Sequence, residues 1–465
     1  MNWLVHEWRL LSRSRLALGS VLLLLLLSAL AVASGLREVS RQQQTLTHLA
    51  ELQRQELAAQ QAKLAPKGDP GSVAYYTFLG TWDEPAPAAF LALGLRDTAP
   101  YVLRVRALAL QAQLHEGEVF NPELALAGRF DFAFVLVYLA PLFLIALLYD
   151  LVSGERHAGR LGTLQALPGV GRRLWLRRAL LRAVLVFTCL ALPMLVGAWV
   201  SAMSVAASAL VLATVCAYVG FWTGLALIVA SRGGSSMVNA TALMGCWTVL
   251  TLVLPTLGNA VLVQAVPVRQ GVELMLAQRQ SVHGAWDLPR EDTMQQFFHT
   301  HPQWQHTAPL PEGFHWKWYY AFQQLGDESV AQQVRAYREG MVARQHWTDR
   351  LGWVLPGVGV QSVLHRAAAT DLLAQLSYQD AVAAFHAQLR DFYYPYLFNE
   401  TRFEAEDFAR LPQFKAVASR EQVPVGALLA LVLVAALMTL LGVHAARRIG
   451  QHEGRGQSVP SPAGD

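Results

Sequence analysis

The chain has 465 residues, of which 54% are hydrophobic and only 15% charged, with a formal net charge of +4. An ordinary soluble domain is about a quarter charged, so this balance excludes a single soluble globule and a disordered chain. Lysines occur only at Lys63, Lys67, Lys317 and Lys415. The basic side chains are therefore mostly Arg, and they form no single stripe and accompany no recognition motif, so no nucleic-acid partner is expected.

The apolar residues collect in runs long enough to cross a bilayer, which takes about 20 residues at 1.5 Å of rise each. Residues 1–15 come first: Trp3, Leu4, Trp8, Leu10 and Leu11 recur at near-helical spacing around Glu7 and Arg9, which predicts an amphipathic elbow helix lying in the membrane interface. The first span covers 16–34. Its basic start and Ala31-Val32-Ala33 imitate a secretory signal, but the apolar stretch is too long for one. Residues 35–129 form a first outer segment. Ser40 to Leu64 is expected to continue the first span as a helix with Leu46, Ala50, Leu57 and Leu64 on one stripe, ended by Pro66 to Gly71. Tyr75 to Leu95 reads as irregular or partly strand-like, and Asp97 to Leu114 fits helix or strand equally.

The second span covers 130–149, followed by a loop over 150–178. The third, fourth and fifth spans cover 179–200, 205–230 and 237–257. A second outer segment occupies 258–422, the sixth span 423–443, and a tail 444–465. In the second outer segment Met294 to His299, Trp318 to Leu325, Glu328 to Trp347, Val363 to Gln375 and Tyr378 to Tyr393 carry apolar residues at helical steps, punctuated by Pro302, Pro309, Pro311, Pro356 and Pro395. The fold class is therefore an all-α polytopic membrane protein of six transmembrane helices, an elbow helix and two large, mainly helical extracytoplasmic insertions. A cytoplasmic N-terminus places the short Arg-rich loops inside: Arg156, Arg160, Arg172, Arg173, Arg177 and Arg178 after span two, Arg232 after span four, and Arg447, Arg448 and Arg455 after span six. Both termini are then cytoplasmic.

Cys189, Cys216 and Cys246 all lie within apolar runs, so no disulfide is expected to staple the outer segments. His299, His301 and His306 cluster near Pro302, but no thiol or carboxylate is fixed beside them and H-E-x-x-H is absent; they are weak metal candidates, and no metal is expected. No nucleotide-binding G-x-x-x-x-G-K-[ST] and no nucleophile elbow occurs. The spans hold almost no ionisable side chains at mid-depth, which argues that energy for any transport comes from outside the chain. No polar cluster suggests a polytopic enzyme. Gly220 and Gly224 form a G-x-x-x-G, read as helix packing, and Pro141 and Pro193 are places where spans two and three could bend.

The loop after span two is the most specific feature. It carries Glu155, Arg156, Gly159, Gly162, Thr163, Leu164, Leu167 and Pro168, with Leu161, Leu164 and Leu167 spaced to share a face of one short helix. Gly159 and Gly162 leave room for another backbone. This order of acidic-Arg, Gly, Gly-Thr-Leu, Leu and Pro resembles the signature of ABC-2 type transporter permeases. The stretches Arg129 to Phe134, Trp318 to Gln323, Gly326-Asp327-Glu328 and Phe392 to Pro395 are similar to the DUF3526 subgroup, which carries large extracytoplasmic insertions. The loop departs from the usual pattern around the proline, with Ala166-Leu167 before it and Gly171-Arg172 after it.

The resemblance implies a permease subunit in a bacterial inner membrane, multi-pass and non-enzymatic, driving export with a second permease copy or paralogue. ATP and Mg would be bound by a partner ABC ATPase, with no cofactor in this chain, and the loop from Glu155 to Pro168 would couple the two. The alternative is a membrane-anchored scaffold whose outer domains engage envelope partners.

Overall fold

A computed structural model describes residues 3–115, 120–125, 128–166, 171–269, 271–416 and 424–449. The chain begins with α1 (Trp3–Ser12) and α2 (Arg15–Leu64), separated by a sharp break at which the Ser14 hydroxyl accepts from the Ala17 amide. That cap satisfies a helix-start donor and starts α2 at Arg15, one residue before the expected span. The 50 residues of α2 run unbroken for about 75 Å, so the apolar run and the polar stretch after it are one rod, as the spacing predicts.

Beyond α2 the chain makes α3 (Pro70–Tyr76), the strands β1 (Leu79–Trp82) and β2 (Val102–Val105), and α4 (Gln111–Leu114). The strands pair antiparallel with Leu79 opposite Val105 and Trp82 opposite Val102. The stretch expected to be irregular or partly strand-like and the one open between helix and strand therefore each contribute a strand to one small hairpin. It is tied to α2 by the Gly80 amide donating to Gln53 Oε1 at 2.9 Å and by Arg104 to Glu56 at 2.5 Å.

Next come α5 (Phe132–Phe134), a π-helical turn (Val135–Leu139) and α6 (Ala140–Leu148). A π turn loosens the backbone ladder, and two side chains from other helices occupy its carbonyls. The Tyr218 hydroxyl donates to the Val137 oxygen at 3.0 Å and Trp247 Nε1 to the Tyr138 oxygen at 3.1 Å. Then follow α7 (Ser153–His157), α8 (Leu161–Ala166), α9 (Gly171–Val200), α10 (Val205–Ser231) and α11 (Ser236–Thr248). A second π turn (Val249–Val253) joins α11 to α12 (Leu254–Ala265), which carries that helix past the expected end at 257. Pro193 sits inside α9 without ending it, and Pro141 falls in the first turn of α6, where its missing N–H costs little.

The C-terminal half holds α13 (Gly271–Gly284), α14 (Arg290–Thr300), α15 (Trp316–Ser329), α16 (Ala331–Leu351), α17 (Pro356–Ala367), α18 (Leu372–Phe398) and α19 (Val425–Arg447). The helix expected over Val363 to Gln375 is two helices. Ala369 adopts a left-handed φ of 51°, the Thr370 amide closes back on the His365 carbonyl at 2.9 Å, and the Asp371 carboxylate caps α18 by accepting from Ala374. The apolar periodicity runs through this corner because both sides of it are buried, so spacing alone could not reveal the break. Pro395, expected as a stop, lies inside the last turn of α18, which continues to Phe398.

The chain is thus mostly helical, with six helical stretches long and apolar enough to cross a membrane: Arg15–Leu64, Phe132–His157, Arg173–Val200, Val205–Ser231, Ser236–Ala265 and Val425–Arg447. Length and composition of this kind make it a membrane protein. One core lies among these stretches, with Phe132, Leu148, Trp175, Tyr218 and Trp222 buried at its centre. A second core is built jointly by the two long polar segments. Leu64, Val73, Leu79 and Val105 from the first pack with Phe297, Tyr320, Phe322, Tyr393 and Phe403 from the second. The two segments expected as separate insertions fold as one body.

Candidate functional site

The loop between the second and third apolar stretches is two short helices rather than one. α7 and α8 are separated by Gly159, whose φ of +69° is a left-handed conformation that a side chain would disfavour. Among the described residues a Cβ at Gly159 or Gly162 would meet no atom within 4 Å. Leu161 is buried against the helix core and Leu164 packs partly against it. His157, Ala158, Arg160, Gly162 and Thr163 are exposed together with Gly159. Leu167 and Pro168 lie outside the described residues.

Charge fixes this loop in place. Glu155 Oε1 accepts from Arg178 Nη1 at 2.8 Å and its Oε2 from Arg160 Nε at 2.7 Å. Arg178 Nε also donates to both oxygens of Glu7 at 3.2 Å. Arg178 therefore joins α9 to the loop and to α1, and its guanidinium lies 5.6 Å from the Trp175 ring centroid. Glu7, Glu155 and Arg178 are each largely removed from solvent. Ion pairs so withdrawn from water lose much of the screening that weakens surface pairs.

A second tether runs through Arg156, whose Nη1 donates to the Gly233 carbonyl at 2.6 Å, on the turn joining α10 to α11. The Ser153 and Ser236 hydroxyls are hydrogen-bonded at 2.8 Å, and Asn239 Nδ2 donates to the Tyr149 carbonyl at 3.2 Å. The loop thus bonds directly to α9, to the α10–α11 turn and to the start of α11, and is linked to α1 through Arg178. Beneath it lies a cavity of about 180 Å³ lined by Glu7, Asp150, Glu155, Arg178 and Arg182 among others. The result is a charge-anchored shelf whose exposed face is made chiefly of small side chains. The motif order singled out Glu155 and Arg156. Glu7, Arg178, Ser236 and Asn239 were not legible, because their partners lie tens to over a hundred residues away.

His301 and His315 make contacts within the fold. His301 stacks on Phe297 with centroids 4.6 Å apart, its Nδ1 meets the Thr300 hydroxyl at 2.8 Å, and its Nε2 lies 3.4 Å from Glu328. His315 caps α15 by accepting from the Lys317 amide. His299 and His306 are exposed. Among the described residues no three His, Cys, Asp or Glu side chains are grouped to hold a metal ion.

Of the remaining sequence motifs, Phe132 and Ala133 of the stretch Arg129 to Phe134 belong to the first core, and the aromatic residues of Trp318 to Gln323 and Phe392 to Pro395 belong to the second. Asp327 accepts from the Leu110 amide at 3.0 Å and the Gln111 amide at 3.1 Å, and from Arg390 at 2.8 Å. It thereby caps the start of α4 and pins the first polar segment to the second. Residues 272–416 match the model of DUF3526, a domain of unknown function. The comparisons with curated proteins and with solved structures found no match. The DUF3526 region runs from α13 past α18. Trp318, Tyr320, Phe322, Tyr393 and Tyr394 within it are all buried, and the Tyr394 hydroxyl donates to Gln324 at 2.5 Å. Its aromatic motifs are core residues, and the hairpin and α3 that complete this core lie before the matched residues.

Proposed function

We propose that the chain is the permease subunit of an ATP-driven transporter of the ABC-2 type, coupled to a separate ATPase through the loop 150–178. The observation that carries this reading is the α7–α8 shelf. It sits between the second and third of six apolar stretches, exposes Gly159, Gly162 and Thr163, and is tied through Arg178 and Arg156 to α1, α9 and the α10–α11 turn. A partner seated on the shelf would move these elements together instead of bending a free loop. The absence of a nucleotide-binding motif, the mid-depth apolarity of the spans and the motif resemblance support the same reading.

In this reading both termini and the shelf are cytoplasmic, by the distribution of arginines, and the hairpin and DUF3526 region form one extracytoplasmic body in a bacterial inner membrane. The partner ATPase binds ATP and Mg and closes on nucleotide. The shelf carries that motion into the helices, and a second permease copy or paralogue completes the pathway, with export as the direction that the resemblance implies. No covalent chemistry is assigned to this chain. The scaffold alternative shares the large outer body but assigns no task to the shelf.

The test uses the full chain with the ATPase that co-purifies with it. Thr163→Arg places a long charged side chain on the exposed face and is expected to lower permease-stimulated ATP hydrolysis about tenfold, the effect of losing one contact worth about 1.4 kcal/mol. Glu155→Gln leaves that face unchanged but removes the charge that pairs with Arg178, and is expected to keep the ATPase bound while weakening its stimulation. Normal stimulation by both variants, with normal assembly, would overturn the coupling role.

A further inference from the structure

Between α9, α10 and α19 the helices leave an apolar groove of about 390 Å³. Its origin is a packing mismatch. α10 and α19 are pressed together where Gly224 meets Gly442: a Cβ on Gly224 would lie 2.5 Å from the Met438 carbonyl oxygen, and one on Gly442 2.5 Å from the Gly224 oxygen. Farther along, the facing positions are small residues, Ala179 and Ala183 on α9, Cys216 and Gly220 on α10, and Thr439 on α19, which leave the space open. The groove holds almost no free polarity, since the Thr223 hydroxyl donates to the Val219 carbonyl of its own helix at 2.7 Å.

Two further observations say what fits there. On α9 the lining runs from Leu176 to Phe187 and on α10 from Cys216 to Leu227. Each is a rise of about 17 Å, close to half of the roughly 30 Å hydrocarbon thickness, which is the depth of one leaflet. A helix of another copy would need a face along the whole span, whereas one acyl chain needs only this length. At the Leu176 end the α9 stripe steps back one turn to Arg173, and the α19 stripe through Thr439 and Val443 steps on to Arg447, both exposed. None of the three helices contains an acidic residue. An apolar trough one leaflet deep, with an arginine one turn beyond its lining on each of α9 and α19, is complementary to a lipid with a negative head.

We propose that this groove binds one acyl chain of an anionic phospholipid, with its phosphate against Arg173 and Arg447. The site rests on the reading of the six helices as membrane-spanning and is independent of ATPase coupling. Full-length protein stripped of lipid in mild detergent would be offered dioleoylphosphatidylglycerol or dioleoylphosphatidylcholine, and the lipid retained counted by native mass spectrometry.

One phosphatidylglycerol per chain is expected, preferred by about fivefold for each arginine. Ala183→Phe, which fills the trough, is expected to abolish retention. Arg173→Gln with Arg447→Gln, both at exposed positions, is expected to erase the preference between the two lipids. Retention by Ala183→Phe equal to the unaltered protein, a preference that survives the double substitution, or a dimer that dissociates on Ala183→Phe would each overturn the site. Carbonate extraction of membranes tests the spanning reading separately, and ATPase stimulation that persists in these variants leaves the transporter reading standing.

Discussion

Glu123 lies buried between the polar segments, with one carboxylate oxygen 3.4 Å from the Gln345 amide and the acids Asp371 and Asp349 close by. Burial, reinforced by those two acids, pushes its pKa from 4.5 up to about 8. The folded protein therefore keeps a proton that the unfolded chain has already released, so this residue's contribution to stability falls as pH rises from about 4.5 to about 8. Replacing Glu123 with Gln removes the ionisable group while keeping its shape. The substitution is expected to raise the melting temperature by several degrees at pH 8 and to change it little at pH 5, measured by thermal unfolding in detergent. An equal shift at both values would mean that Glu123 does not carry a buried proton. His365 and His386 act in the opposite sense. Desolvation lowers them from 6.5 to about 4 and about 3, so they hold the fold in neutral form and cost stability as pH falls below 6.5. The sequence marked none of these three, because burial is a property of the assembled body and no local spacing reports it.

Among the elements, the pairing of α10 with α19 depends on two glycines that oppose each other's backbone. The G-x-x-x-G at Gly220 and Gly224 was legible as packing, but its partner was not, and the structure supplies Gly442 across the contact. Gly224→Leu forces the helix backbones apart, since the obstructing atoms are main chain and cannot rotate away. It is expected to cost about 1–3 kcal/mol in stability, read as a lower melting temperature. Gly162→Ala is the contrast. It adds a methyl group to the exposed face of α8, with no atom of the described residues within 4 Å, and is expected to leave the melting temperature unchanged or slightly higher. A comparable loss in both variants would show that helix spacing at Gly224 is not the cause. The same logic explains why one expected loop helix became two. The leucine spacing at Leu161 and Leu164 survives in α8, while the left-handed turn at Gly159 redirects the chain so that Glu155 can meet Arg178.

Among the described residues the two largest cores are distinct, and the second depends on chain from both sides of the second apolar stretch. Asp327 bonds to the amides that start α4, and Phe297 and Tyr320 belong to the same cluster as Val73 and Val105. The DUF3526 match covers only one of these contributions. A fragment of residues 271–416 expressed alone lacks α3 and the hairpin and would expose the apolar surface they cover. It is expected to unfold without a cooperative transition in circular dichroism, whereas the full chain protects the region from limited proteolysis. A sharp transition in the isolated fragment would show that the matched region folds by itself.

Composition, apolar run lengths and the spacing of polar breaks were enough to define a mostly helical protein with six stretches able to cross a bilayer, because covering hydrocarbon with satisfied backbone admits few solutions and each is written in consecutive residues. The long rod of α2 and most helices of the second polar segment followed from the same local periodicity. The core shared by the two polar segments, the Ala369 corner, the α10–α19 contact and the web joining Glu7, Glu155 and Arg178 were decided only in three dimensions. Each joins residues far apart in the chain, and the energy of such a contact depends on burial and distance, neither of which is encoded in local order.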